Sequence, residues 1–280
     1  MRFLWKKTIT SSHGAQKKKK QITARSFAIF FLTLVFFGAV SFLSWRPEIN
    51  IQHVTIVGNT TVSEEDVRAH IEERTRGGYM YLFSRANVFL FQPRIVESEL
   101  RDDFKKIKEV TVSRDSLRSL VIEISERKPF YIWCDGEVQE ENGQPCYFLD
   151  INGYAFAPAP YFSGHVYFEF HKKFEAENKN PIGQFFLPEP EFKRLISFRN
   201  ALKDLNLNAY ALFVDKDGDY TFVTPQKTKI IFNPKQDFDL VFHNLSATFD
   251  MEQFIKKQKR GLSLLYVDAR FENKVYYRFE

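Results

Sequence analysis

Residues 51–78 read IQHVTIVGNTTVSEEDVRAHIEERTRGG, and the change of hydrophobic period inside this stretch decides the fold class. Ile51–Val57 reads as a strand, closed by the turn pair Gly58-Asn59. Ser63-Glu64-Glu65-Asp66 then opens a helix, with a capping hydroxyl and acids that oppose the positive end of the helix dipole. Val67 and Ile71 face inward at i, i+4 spacing, and Gly77-Gly78 ends the helix. Residues 79–91 are aromatic and irregular, and Pro93 suits a first helical position. Val96, Leu100, Phe104 and Ile107 follow at steps of 4, 4 and 3, the stripe of an amphipathic helix. Val110 and Val112 alternate in a strand, Arg114-Asp115 marks a turn, and Leu120, Ile122 and Ile124 alternate in the next strand. The resulting β-α-α-β-β unit spans 51–129 and closes at Glu126-Arg127-Lys128-Pro129, where Pro129 interrupts the ladder.

Working outward toward the carboxyl end, residues 130–280 read as a second, mixed α/β unit. Phe130–Cys134 and Cys146–Ile151 are strands joined by a polar loop, and Asn152-Gly153 turns the chain into Tyr154–Phe156. A Pro-rich link at Pro158 and Pro160 precedes a strand at His165–Phe170. Pro188 and Pro190 introduce a helix with Phe192, Leu195, Ile196, Leu202 and Leu205 on one face. Ala209–Val214 and Tyr220–Val223 form a hairpin around Asp217-Gly218, and Lys229–Phe232 adds a strand. Asn233-Pro234 reads as a cap and first-position proline for a helix carrying Phe238, Val241, Phe242, Leu245 and Phe249. Leu264–Phe271 and Lys274–Phe279 close the chain as two strands.

Toward the amino end, Ser26–Trp45 is a run of twenty residues without a charge. At 1.5 Å per residue a helix of this length spans about 30 Å, the hydrocarbon thickness of a bilayer. Twelve of these residues are Leu, Ile, Phe or Val; their transfer contributes on the order of −4 to −7 kcal/mol of insertion. Residues 1–25 hold eight Lys or Arg and no acid, which predicts a cytoplasmic amino terminus and places residues 46–280 outside. The segments are then a basic cytoplasmic tail (1–25), a transmembrane helix (26–45), a linker (46–50) and the two units. A cleaved signal peptide is the rival, since Ala39-Val40-Ser41 offers a small-x-small site, but the apolar run continues through Leu43. The Lys17–Lys20 run serves as an orientation signal in a disordered tail, or as a patch held against anionic lipid. Subtracting the tail's eight basic residues from 40 leaves 32 against 35 acidic ones, so the body is mildly acidic and nucleic-acid binding is not expected.

The layout resembles the bacterial cell-division proteins of the FtsQ/DivIB type. The matching residues are Val57-Gly58-Asn59, Glu126-Arg127-x-Pro129, Asp150-x-x-Gly153-x-x-Phe156 and Asp268-Ala269-Arg270-Phe271, in order across the ectodomain. The resemblance implies an α+β fold: a single transmembrane helix, a POTRA domain and a β-domain with an exposed carboxyl-terminal edge strand. It implies a non-catalytic scaffold at the division septum, with partners of the FtsB/DivIC and FtsL type. Their docking region would lie just after the Asp268–Phe271 segment, which points to Phe271, Asn273 and Tyr277. Apart from the resemblance, the last strand offers unpaired backbone groups for strand addition, with Phe271, Tyr276 and Tyr277 as aromatic anchors. The pair Cys134/Cys146 has no counterpart in that general pattern. A POTRA component of an envelope assembly or secretion system is the alternative from another class, although such a system needs a long β-barrel region.

No catalytic or cofactor-binding constellation stands out, and neither an enzyme nor a metal protein is expected; a membrane-anchored envelope enzyme is the least favoured alternative. The six histidines are scattered, without zinc-ligand spacing, and no Gly-rich phosphate loop is present. Asp215, Asp217 and Asp219 resemble a calcium loop, but Gly218 stands at the fourth position rather than the sixth, so a solvated hairpin turn is expected. Asp268 and Arg270 alternate onto one strand face, where they can pair. Cys134 and Cys146 flank an 11-residue loop. Either they form a disulfide, worth roughly 3 kcal/mol, or they remain two buried thiols.

Overall fold

The computed structural model describes residues 12–136, 144–174, 180–272 and 274–280. It divides into two compact units, Met1–Leu100 with Val110–Ile124, and Arg101–Glu109 with Ser125–Glu280. The chain has an apolar amino-terminal helix, a first unit with a three-stranded sheet, and a mixed α/β region built on a large sheet.

Helix α1 (Ser12–Ser44) contains the apolar segment Arg25–Ser44, which is long and apolar enough to cross a membrane and is not buried by the protein. The helix begins fourteen residues before Ser26, so the Lys17–Lys20 run is helical rather than part of a disordered tail. Strand β1 (His53–Val57) leads into α2 (Glu64–Thr75), whose cap is Ser63: its hydroxyl accepts from the Asp66 N–H at 3.3 Å. Val67 and Ile71 are buried, as their spacing predicts. The stretch read as irregular holds a short hairpin, β2 (Gly78–Tyr79) with β3 (Phe83–Ser84).

Helix α3 (Pro93–Asp103) buries Val96 and Leu100 and stops there. Phe104 and Ile107 follow the helical spacing but are not helical, because Ile107 opens β4 (Ile107–Arg114) and its N–H donates to the Phe104 carbonyl at 2.8 Å. A strand's first inward residue happened to fall on the helical period. Strand β5 (Ser119–Glu126) buries Leu120, Ile122 and Ile124 and lies between β1 and β4, parallel to β1. Gly58 holds φ of +84°, and a Cβ there would stand 2.2 Å from the Ile124 carbonyl oxygen. The turn after β1 therefore tolerates only glycine.

The second unit is built on a nine-stranded mixed sheet of order β14-β13-β12-β11-β10-β9-β6-β7-β8. Its strands are β6 (Tyr131–Cys134), β7 (Cys146–Leu149), β8 (Ala155–Ala159), β9 (Phe168–His171), β10 (Ala211–Val214), β11 (Tyr220–Val223), β12 (Lys229–Phe232), β13 (Leu264–Phe271) and β14 (Lys274–Phe279). The β6–β9, β9–β10 and β12–β13 neighbours are parallel. Pro158 lies inside β8 rather than in a link, because β8 ends the sheet and among the described residues has no outward strand to miss an amide proton. The strand expected from His165 begins only at Phe168.

Helix α4 (Glu189–Ala201) and helix α5 (Phe238–Phe249) supply Phe192, Leu195, Phe198, Val241 and Leu245 to a core shared with Phe170, Phe222 and Phe232 of the sheet. Asp237, not Asn233-Pro234, caps α5, accepting from the Asp239 N–H at 2.9 Å. Asn233 instead closes a local turn by accepting from the Lys235 N–H, which leaves its amide free to reach elsewhere. A further short helix, α6 (Glu252–Lys259), has no counterpart in the sequence reading and places Phe254 in the interior.

Cys134 and Cys146 stand opposite one another in the β6–β7 register and are joined as a disulfide, Cα–Cα 4.1 Å. The purified oxidised protein, denatured in the presence of an alkylating reagent, should yield no labelled thiol until it is reduced. Two thiols labelled before reduction would overturn the bond.

Candidate partner-docking edge

Two of the sequence motifs meet at the start of the second unit. The Arg127 guanidinium pairs with the buried Asp150 carboxylate and lies 3.9 Å over the Tyr154 ring. The other oxygen of Asp150 accepts from the Asn152 and Tyr154 N–H groups, at 2.9 and 3.0 Å. Burial raises the Tyr154 phenol above its usual range, and Arg127 only partly opposes this. The ion pair, the ring contact and the two turn hydrogen bonds anchor the start of the second unit.

A third motif lies at the opposite edge of the sheet. In β13, Asp268 and Arg270 point to the same side, and the guanidinium donates to both Asp268 oxygens at 3.0 and 2.7 Å. It also reaches Asp219, at the start of β11, at 3.0 Å, and the Asn233 amide donates to the second Asp219 oxygen at 2.8 Å. The hydrogen bonds that Arg270 donates to Asp268 and Asp219 raise its pKa above the ordinary value and hold it in the charged form. Asp219 is therefore buried and not part of a solvated hairpin turn; Asp215 and Asp217 remain exposed there. The clasp ties β13 to the end of the β11–β12 hairpin. Replacing Arg270 by Ala leaves the buried Asp268 and Asp219 carboxylates without their shared cation; about 2 kcal/mol of stability should be lost, the partial exposure of Arg270 reducing the full buried-pair penalty. Urea unfolding of the variant checks this.

The clasp backs the strand that ends the sheet. Asp268 stands directly opposite Tyr276, and Val267 opposite Tyr277, in the antiparallel β13–β14 register. Alternation then sends Val275, Tyr277 and Phe279 inward and Lys274, Tyr276 and Arg278 outward. Tyr277 packs edge-on against Phe254 of α6, ring centroids 5.1 Å apart, beneath the Lys257 ammonium. Phe271 and Tyr276 are both about half exposed, and their rings meet edge-to-face at 5.1 Å. The structure thus brings two of the four expected contact residues, Phe271 and Tyr276, into one outward pair and places Tyr277 on the opposite face. Asn273 lies outside the described residues.

The Asn244 amide of α5 donates to the Glu272 carbonyl at 2.9 Å, so the turn carrying this pair is held by the core helix. Neither this bond nor α6 was foreseen; the amphipathic Phe254-Ile255 pair between acidic and basic residues was the available signal for α6. On its far side β14 has no strand neighbour among the described residues. Its outward backbone groups and the Phe271–Tyr276 pair form a surface suited to an added strand. Among the described residues no group of three or more His, Cys, Asp or Glu could hold a metal ion.

Residues 49–127 match the family model described as "POTRA domain, FtsQ-type". The chain is thus a POTRA-domain protein with an apolar amino-terminal helix ahead of the domain. That combination is consistent with an FtsQ/DivIB-like protein, and the POTRA domain of this type belongs to a non-catalytic family. No curated protein matches the chain.

Proposed function

We propose that this protein is a scaffold of the bacterial division machinery, anchored by α1 in the cytoplasmic membrane. In this reading its ectodomain binds small bitopic proteins of the FtsB/DivIC and FtsL type at the septum. The observation that carries the proposal is the β14 edge, without a strand neighbour among the described residues, with the Phe271–Tyr276 pair, in a chain bearing an FtsQ-type POTRA domain. The partner supplies a strand beside β14. Main-chain hydrogen bonds give adhesion, and the aromatic pair gives an anchor that only an apolar partner side chain satisfies. Lys274 and Arg278 on the same outward face repel basic strands and favour an acidic partner segment.

A photo-reactive amino acid placed at Tyr276 in the full-length protein, expressed in dividing cells, tests the reading. Cross-links to division proteins support it, and cross-links to a secretion apparatus defeat it. The membrane orientation has its own expected result. A reporter active only outside the cytoplasm, fused after Glu280, should be active, and the mature chain should retain its basic tail. An amino terminus found at Phe42 by mass analysis would mean cleavage instead of anchoring.

A further inference from the structure

Among the described residues the most exposed large apolar side chain is Tyr81, at 95%, and its neighbour Met80 is 86% exposed. Both occupy the tip of the β2–β3 hairpin with positive φ, 49° for Met80 and 60° for Tyr81. The Leu82 N–H donates to the Tyr79 carbonyl across them at 2.9 Å. Asn-Gly makes such a turn at least cost, so a loop needed only to reverse the chain has no use for Met and Tyr here. They face left-handed backbone strain and water together.

This tip is seated against the outer end of α1. The Ser41 hydroxyl and the Trp45 indole N–H, the latter at 3.1 Å, both donate to the Leu82 carbonyl. The Ser84 N–H donates to the Ser44 hydroxyl at 2.9 Å, and the Asn50 and Asn87 amides donate to the Ser44 carbonyl. Gly78 leaves room for the Trp45 ring, since a Cβ there would stand 2.8 Å from Trp45 Cζ2. The hairpin is therefore level with the last turn of the apolar segment Arg25–Ser44. Met80 and Tyr81 lie one or two residues from Leu82, hence within about 7 Å of that level in either direction. The polar zone on each side of the hydrocarbon core is itself roughly 5–8 Å deep. Arg76 and Arg85 flank the apolar tip in sequence, and the Arg85 guanidinium lies 5.5 Å from the centre of the Tyr79 ring. That is how a cation accompanies an apolar anchor at a lipid surface.

We propose that the β2–β3 tip is a second membrane contact, in which Met80, Tyr81 and Leu82 enter the lipid interface beside the anchor. The contact takes α1 as a membrane span and is independent of any division partner. It restrains the POTRA domain against swinging about the end of α1.

The test uses the full-length oxidised protein reconstituted in phosphatidylcholine–phosphatidylglycerol vesicles, with a nitroxide on one introduced thiol at a time. Tyr81→Cys reports the tip, Leu34→Cys the span, and Glu65→Cys, in the exposed first turn of α2 beyond the far end of β1, reports water. At Tyr81 the collision ratio of oxygen to a water-soluble nickel chelate should be severalfold higher than at Glu65 and lower than at Leu34. A Tyr81 ratio equal to that at Glu65 overturns the proposal. Shielding of Tyr81 from both reagents also overturns it, because the tip would then be covered by protein. An aqueous reading at Leu34 removes the anchor and the second contact together.

Discussion

Combining Phe271→Ala with Tyr276→Glu should weaken binding of the partner segment at least a hundredfold and leave the ectodomain folded. The two rings form one outward pair, and neither is buried in the core. Loss of a central aromatic anchor costs about 2 kcal/mol or more, and the acid adds a charge that the added strand must desolvate. About 3 kcal/mol for the pair is a little over two decades of affinity. Titration calorimetry with the partner's extracytoplasmic segment reads the loss, and thermal unfolding reads the fold. Tyr277→Glu separates edge from core, since it drives a charge between Phe254 and the inner face of β14 and should lower the melting temperature. Asp217→Lys, on the exposed β10–β11 turn, is the control that should change neither quantity. Normal binding by the folded double variant would remove β14 as the docking edge.

Replacing Phe192 by Ala should destabilise the protein by about 3–5 kcal/mol, the range for emptying a buried aromatic site. Phe192 is fully buried, and its ring contacts Tyr131 and Phe170 at centroid distances of 5.5 and 5.4 Å. It also fills the space above Gly153, where a Cβ would stand 2.6 Å from the ring. Three neighbours from β6, β9 and the turn before β8 converge on one side chain of α4, so collapse cannot close the cavity without moving the sheet. Urea unfolding should show a lower midpoint with an unchanged slope. A loss below 1 kcal/mol would mean that the α4 face is in error.

Much of this architecture was legible in the residues because it rests on local chemistry. The Ser63 cap, the inward Val67 and Ile71, the Pro93 start and the alternation in β5 each depend on groups a few positions apart. Where local signals competed, the reading slipped. Phe104 continued a helical stripe past the true end of α3, and Asn233-Pro234 offered a plausible cap that Asp237 supplied instead. The α6 helix escaped notice because eight residues hold too few turns for a clear period.

The apolar run of α1 and the β-α-α-β-β order of the first unit's main elements were determined by sequence alone, since length, charge and period suffice for each; strand alternation also requires Tyr276 and Tyr277 to face opposite ways. Which of those two tyrosines faces outward was decided by the tertiary structure, through the pairing of Asp268 with Tyr276 and the packing of α6. The same holds for Pro158, which became an edge residue only when β8 took the end of the sheet. Arg270 and Asp219 are 51 positions apart, and Arg127 and Asp150 are 23 apart. Sheet order and ion pairing at such separations follow from which strands become neighbours, and backbone periodicity carries no information about that.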